Sequence, residues 1–375
     1  MPSDGRRERA ERVDERDTMF ARMTRKPGTP QYEEYYSRRS DLKSVDDCLS
    51  RMTPLMQPGS LYYDAEVCGA ADRYFEEIRD IKIDRGLVDR LKAVVLGAPD
   101  LTQGIGRILL ELGAVAVGCT ALDELFVYTH KGRFDEDYGK PIALDLPSVV
   151  VFLVEMDFHA MQEAPRAETL RESARQYRRA AAAALAAAAT LEACGHRAKA
   201  HYDARYDVIL PPLAVAAGLG EMGRNNILIA NRYGSRVRIG AVTTDAPVTH
   251  DRAVSLGANA FCLICRKCAD NCPSYALSLA GGEFIRGVQK WPTDVERCYQ
   301  YWRRAGTDCG ICMAVCPFSH PDTRLHNAVR WVVRRTSRFN RALLFLDDLV
   351  YGRDWQPGKM PKRANAQPSM QVKGG

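Results

Sequence analysis

The chain has 375 residues, of which 46% are hydrophobic, enough for two domains or for one large domain with an appended module. Its 53 basic and 47 acidic residues leave a formal net charge of +6, too small at this length to point to nucleic acid as a partner. Twelve cysteines in so long a chain exclude a small secreted disulfide scaffold.

Residues 1–60 are charged and punctuated by proline, and read as an N-terminal extension without a regular pattern. The Arg6-Arg7 pair is followed by no apolar stretch, so the segment reads as neither a secretory nor a twin-arginine leader, and a cytoplasmic location is expected. Residues 61–250 have an α/β pattern. Helical periods in 86–96 and 104–113 alternate with strand-like runs at 114–118, 149–154 and 237–244, the length and β-branched content of buried strands.

The longest predicted helix runs from Pro165 to Cys194, with Gly195 just past its end and an interior of mostly alanine, the best helix former. Its alanine run is too short and too weakly apolar to cross a bilayer, which takes about 20 residues, so no membrane anchor is expected. Tyr177 stands among small neighbours at helical spacing: Ser173, Ala174, Ala180, Ala181 and Ala184. Such an aromatic either fills a neighbour's groove or stands beside a bulky ligand.

Two motifs invite misreading. Asp157, His159 and Gln162 approach the D-x-H-x-x-G pattern of cobalt-ligating histidines, but glutamine replaces the glycine, and the segment reads as a buried strand running into a loop. Gly218, Gly220 and Gly223 spell G-x-G-x-x-G. The flanking PPLAVAA and RNNILIA read as helix before and strand after, the reverse of a dinucleotide fold. Glycines still let backbone amides approach an anionic tail, so these three, with Arg224 and Asn225, are candidate cofactor contacts.

The cysteines dominate residues 251–320. Cys262, Cys265, Cys268 and Cys272 read C-x2-C-x2-C-x3-C-P, a bacterial-ferredoxin half in which three thiolates hold one 4Fe-4S cluster and the fourth reaches to another. Cys309, Cys312 and Cys316 follow, lacking a partner where Gly306 stands, and Cys298 restores the count. The spacing assigns Cys262, Cys265, Cys268 and Cys316 to one cluster, and Cys272, Cys298, Cys309 and Cys312 to the other. Zinc would favour two separated pairs. Cys48, Cys68, Cys119 and Cys194 lack such spacing and read as buried or partly buried thiols. Residues 321–375 read as a C-terminal segment packed back on the core: a basic helix with a solvated face over 324–344, then LLFLDDLVYGRDW, and a disordered tail after Asp354.

Several stretches together resemble the reductive dehalogenases over nearly the whole chain: RDTMFARM, VEMDFHAM, PLAVAAGLGEMGRNNILI, YGSRVRIGAVTTDAP, the first cysteine run, GVQKWPTDVERCYQYWRRAGTDCGICMAVCPF and LDDLVYGRD. The resemblance implies an α/β, nitroreductase-like core holding base-off cobalamin, beside a bacterial-ferredoxin-like module with two [4Fe-4S] clusters. It implies replacement of carbon–halogen by carbon–hydrogen in an organohalide. Two clusters supply electrons but no site for breaking a bond, so a further cofactor is chemically reasonable. By resemblance Tyr177 is the proton donor and Arg238 the cation beside it, expected to lower the phenol's pKa. Tyr206, Trp302 and Phe158 are implied in the substrate pocket, Phe158 where many relatives carry tyrosine. The sequence has no fused reductase domain, which implies a separate electron donor: ferredoxin, flavodoxin or a reductase. Two other families fit the sequence less well. Epoxyqueuosine reductase, acting on transfer RNA, has an aspartate where Gln176 stands, and an electron-transfer ferredoxin needs no such α/β body.

Overall fold

One strand decides the architecture. In the computed structural model, which describes residues 11–358, the strands are β1 (Ala116–Ala121), β2 (Ser148–Glu155), β3 (Ala198–His201), β4 (Gly220–Met222), β5 (Leu228–Ala230), β6 (Val237–Thr244), β7 (Glu283–Ile285) and β8 (Val288–Lys290). Four form a sheet in the order β1-β2-β6-β3, every pair antiparallel. In β2 every residue from Ser148 to Val154 is buried. Because side chains alternate between faces, Val150, Phe152 and Val154 enter one core and Val149, Val151 and Leu153 the other. Both faces are therefore covered, which explains the unbroken apolar run. Gly240 of β6 sits opposite Phe152, and a Cβ there would lie 2.4 Å from the phenylalanine ring.

The first core is closed by the helices Arg85–Leu96 and Leu101–Glu111 and by the long helix Ala167–Ala193. Ala180, Ala183, Ala184 and Ala187 of the long helix are each at most 1% exposed. Small side chains let it lie close on the sheet, so the alanine run is a packing surface. One turn before this stripe, Tyr177 clears the apolar core and meets Arg238 of β6.

The second core packs β1, β2 and β6 against the helix Leu210–Ala216. That helix leads into the β4–β5 hairpin. The G-x-G-x-x-G segment thus runs from helix into strand, as its flanks indicate.

The N-terminal extension is more regular than its composition suggests. Helices span Pro30–Arg38 and Ser40–Ser50, the first capped by the Thr29 hydroxyl with proline at its start. Tyr32, Tyr35 and Tyr36 form a buried aromatic cluster. Arg22 pairs with Asp46 at 2.6 Å, the two side chains 3% and 1% exposed, and reaches Glu296 at 2.6 Å. This arm is thereby tied to the helix Val295–Ala305 that carries Cys298.

At the other end, the helices Arg324–Arg335 and Asn340–Tyr351 pack on the cysteine segment through Val333, Leu343 and Leu344. Trp355, expected in a disordered tail, is held by hydrogen bonds from its backbone N–H to Asn271 and from its indole to the Ala164 carbonyl. The Arg6-Arg7 pair and the tail beyond Gly358 lie outside the described residues. Among the described residues no helix is long and apolar enough to cross a membrane. Cys68 and Cys119 are buried and Cys194 partly so, but Cys48 is exposed on its helix, contrary to expectation.

Candidate active site

The cysteine segment folds as a chain wrapped around two spaces. Cys262 and Cys265 lie on the helix Ala258–Cys265, which Arg266 ends in a left-handed conformation (φ 59°) so that Cys268 turns back toward them. Cys309 and Gly310 are likewise left-handed (φ 60° and 78°) ahead of Cys312. Cys262, Cys265, Cys268 and Cys316 line one narrow cleft. Cys272, Cys298, Cys309 and Cys312 line a separate cavity of about 390 Å³, within the usual range for small-ligand sites. Asn225 borders both spaces and donates to the Cys312 carbonyl and to Ser235.

Burial pushes these thiols up: Cys262, Cys265, Cys309 and Cys316 to about 12 and Cys298 to about 11, with neighbouring cysteines adding to the shift. As free groups they would stay protonated at neutral pH. Binding them as thiolates requires a strongly cationic centre. Among the described residues no three potential ligands are placed to share a single ion.

The same cavity is lined by Tyr177 and Arg238. The Arg238 guanidinium lies 4.6 Å from the centre of the Tyr177 ring. One of its terminal nitrogens donates to the Ser173 hydroxyl at 2.7 Å and to Asp308 at 3.1 Å, and Ser173 donates to Asp308 in turn. Tyr177 is raised to about 12, first by burial; Arg238 pulls it down, while Asp203, Asp308 and Tyr206 push it up. The cation thus acts in the expected direction, but desolvation outweighs it. The Phe75 ring is tilted against the tyrosine with centroids 6.4 Å apart, so Tyr177 both packs on a neighbour and lines the cavity.

The other expected residues divide. Trp302 lines the cavity, tilted against Phe20 at 5.8 Å. Tyr206 stands outside the lining, accepting from Arg133 and packed on Tyr128. Phe158 also lies outside it, 5.5 Å beneath the Arg236 guanidinium, and His159 is exposed beside it. A Cβ at Gly218, Gly220 or Gly223 would meet Arg252 O at 2.7 Å, Ile229 O at 2.3 Å or Asn225 at 2.8 Å. These glycines serve close backbone packing in the wall. Arg224 spends its donors on the carbonyls of Cys262, Ser278 and Ala280, bracing the first cleft. Of the five, only Asn225 reaches the cavity.

Sequence reasoning missed Asp308, Asn226, Met19 and Phe20, all of which line the cavity. RDTMFARM contributed to the resemblance, but its charged context concealed that two of its apolar residues are presented to a site. Four buried polar atoms in the lining have no partner: Asn226 Oδ1, Thr293 Oγ1, Arg238 Nε and Asp308 Oδ1. Buried polar groups left unpaired are rare and mark places where another group belongs.

Residues 261–320 match the family model described as a 4Fe-4S dicluster domain. A tetrachloroethene reductive dehalogenase of Desulfitobacterium hafniense is 33% identical over 54% of this chain and 38% of its own length. Another, from Sulfurospirillum multivorans, is 35% identical over 37% of this chain and 29% of its own. A reductive dehalogenase structure described as suggesting a mechanism for B12-dependent dehalogenation superposes on 92% of this chain with a TM-score of 0.69 and 24% identity, covering 47% of that chain. The matches thus span less than half the length of these relatives.

Proposed function

The chain is a relative of the reductive dehalogenases in sequence and fold, and on that premise we propose that it replaces carbon–halogen by carbon–hydrogen in an organohalide. In this reading a nitroreductase-like core binds base-off cobalamin, and electrons arrive through two [4Fe-4S] clusters from a separate ferredoxin, flavodoxin or reductase. The observation that carries it is one cavity lined both by four thiols and by Tyr177 with Arg238.

The residues suit the cofactor. A corrinoid is a broad apolar ring edged with amides, and the cavity pairs mostly apolar walls with four unpartnered buried polar atoms. In this reading cobalt takes no imidazole from this chain, and His159 lies exposed outside the cavity lining. When bound, cobalamin supplies the reducing centre at which the carbon–halogen bond breaks.

The chain's own residues handle the proton. The reaction consumes two electrons and one proton and releases halide. Tyr177, held protonated by its raised pKa, donates its phenolic proton to carbon. Arg238, fixed by Ser173 and Asp308, faces the ring and stabilises the phenolate left behind. Apolar residues such as Met19, Phe20, Ile311 and Met313 keep water from competing.

Anaerobic reconstitution tests the proposal. About eight iron and eight sulfide per chain are expected, with one cobalamin bound and halide released from halogenated alkenes or phenols. The cobalt(II) spectrum should be unchanged by His159→Ala. Stoichiometric zinc without a 4Fe-4S signal, or loaded protein that releases no halide from any of these substrates, would overturn it.

A further inference from the structure

The helices Arg324–Arg335 and Asn340–Tyr351 bury only one side. Their inner residues Val333, Leu343 and Leu344 share an apolar cluster with Cys265 and Cys316. Their outer sides remain open. Phe345, Leu346, Leu349 and Val350 are each more than half exposed and, at this spacing, share one face of their helix. Trp331 of the preceding helix is 57% exposed. So is Leu263, at 55%, and it stands between the two cluster cysteines Cys262 and Cys265. Exposed apolar side chains at this density mark an interaction surface.

The unpaired exposed charge on these helices is of one sign, since Asp347 and Asp348 are held by Lys267, His320 and Arg353. From Arg324 to Leu346 the sequence contains no aspartate or glutamate. Arg324, Arg334, Arg335, Arg338 and Arg341 are exposed, and none of them is in an ion pair among the described residues. The exposed side of these helices lies about one helix diameter, roughly 10 Å, from the Cys265–Cys316 side of the first cleft.

We propose that this surface docks a small acidic one-electron carrier protein, and that electrons enter at the cluster held by Cys262, Cys265, Cys268 and Cys316. The inference rests on the two-cluster reading above. Arginines steer the acidic partner into encounter. The apolar residues then exclude water where the two meet, and Leu263 places the contact beside the cluster ligands. Anionic lipid would satisfy the same charges. The coincidence of the surface with the cluster favours a redox partner, because a membrane makes no use of it.

The test uses the reconstituted full chain and a reduced, acidic two-cluster ferredoxin as the probe. Cluster reduction is followed by stopped-flow absorbance, with titanium(III) citrate as the small-molecule control. Loss of cluster absorbance before any carrier is added would indict the two-cluster reading, not the surface. In the wild type, the rate with ferredoxin should fall steeply as salt rises. The triple variant Arg334→Glu, Arg335→Glu, Arg338→Glu should slow it at least about 10-fold, and Phe345→Ser with Leu349→Ser should slow it independently. Reduction by titanium(III) citrate should be unchanged in both, which separates docking from misfolding. Unchanged ferredoxin rates would overturn the proposal. So would wild-type self-association that is abolished by Phe345→Ser with Leu349→Ser, or binding to phosphatidylglycerol vesicles without any effect of the variants on electron transfer.

Discussion

Replacing Tyr177 with phenylalanine isolates chemistry from architecture. The change removes one oxygen and keeps the ring that packs on Phe75 and carries the Arg238 guanidinium on its face. Among the described residues nothing hydrogen-bonds the hydroxyl, so its loss should change stability by under about 1 kcal/mol. Clusters and cobalamin should load normally. If the phenol is the general acid, the chemical step should slow by about 10²- to 10⁴-fold, or roughly 2.7–5.4 kcal/mol at 1.36 kcal/mol per factor of ten. Arg238→Met should act in the same direction. The double variant should be little worse than Tyr177→Phe, because the cation serves only the phenolate. Single-turnover halide release by anaerobically reduced, cobalamin-loaded enzyme measures this directly. A chemical step within about threefold of wild type in Tyr177→Phe would refute the reasoning and move the proton donor to Tyr206, which sits close enough to influence the Tyr177 pKa.

Three further outcomes are expected. Cys298→Ser should disturb one cluster only, seen as loss of about half the iron with one set of paramagnetic signals retained, because the other four thiols line a separate cleft. Asp46→Ala should strand the buried Arg22 and also remove the acceptor of the Tyr36 hydroxyl. It should cost about 3–5 kcal/mol locally, with the arm becoming protease-sensitive before the sheet does. His201 is fully buried between Thr243 and the Asp207 amide, and its pKa is lowered to about 3. Below about pH 6.5 the unfolded chain binds a proton that the folded one refuses, so His201 makes stability fall progressively from pH 6.5 toward 3. Denaturant midpoints across that window should flatten in His201→Asn if the assignment is correct.

Much of the candidate site was legible because the grouping of its cysteines is written in spacing. The cysteine runs, the β2 and β6 segments and the long alanine helix each follow a local rule that one sequence can show. The arm was not legible. Tyr32, Tyr35 and Tyr36 are interleaved with charge, and they become a buried cluster only when the arm folds against the body. Asp308 escaped notice for a different reason. Adjacent to Cys309 it looks like a polar spacer, and its role depends on Ser173 and Arg238, which are distant in sequence. Phe158 and the glycines misled in the opposite direction, since local motif resemblance does not report which way a side chain faces. The direction of the Tyr177 shift depends on how much burial accompanies its cation, and burial is set by the tertiary fold.

The alanine stripe also bears on how the proposed chemistry could be tuned. Ala180, Ala184 and Ala187 hold the long helix against the sheet with almost no space between, and Tyr177 rides on the same rigid rod. A methyl-sized enlargement at Ala184, two turns from the tyrosine, would lift the rod and carry the phenol with it. A displacement of about 1 Å at a reacting group can cost about 10²-fold in rate. Selection for a different substrate can therefore act through residues that never line the cavity, with helix-to-sheet spacing as the adjustable dimension.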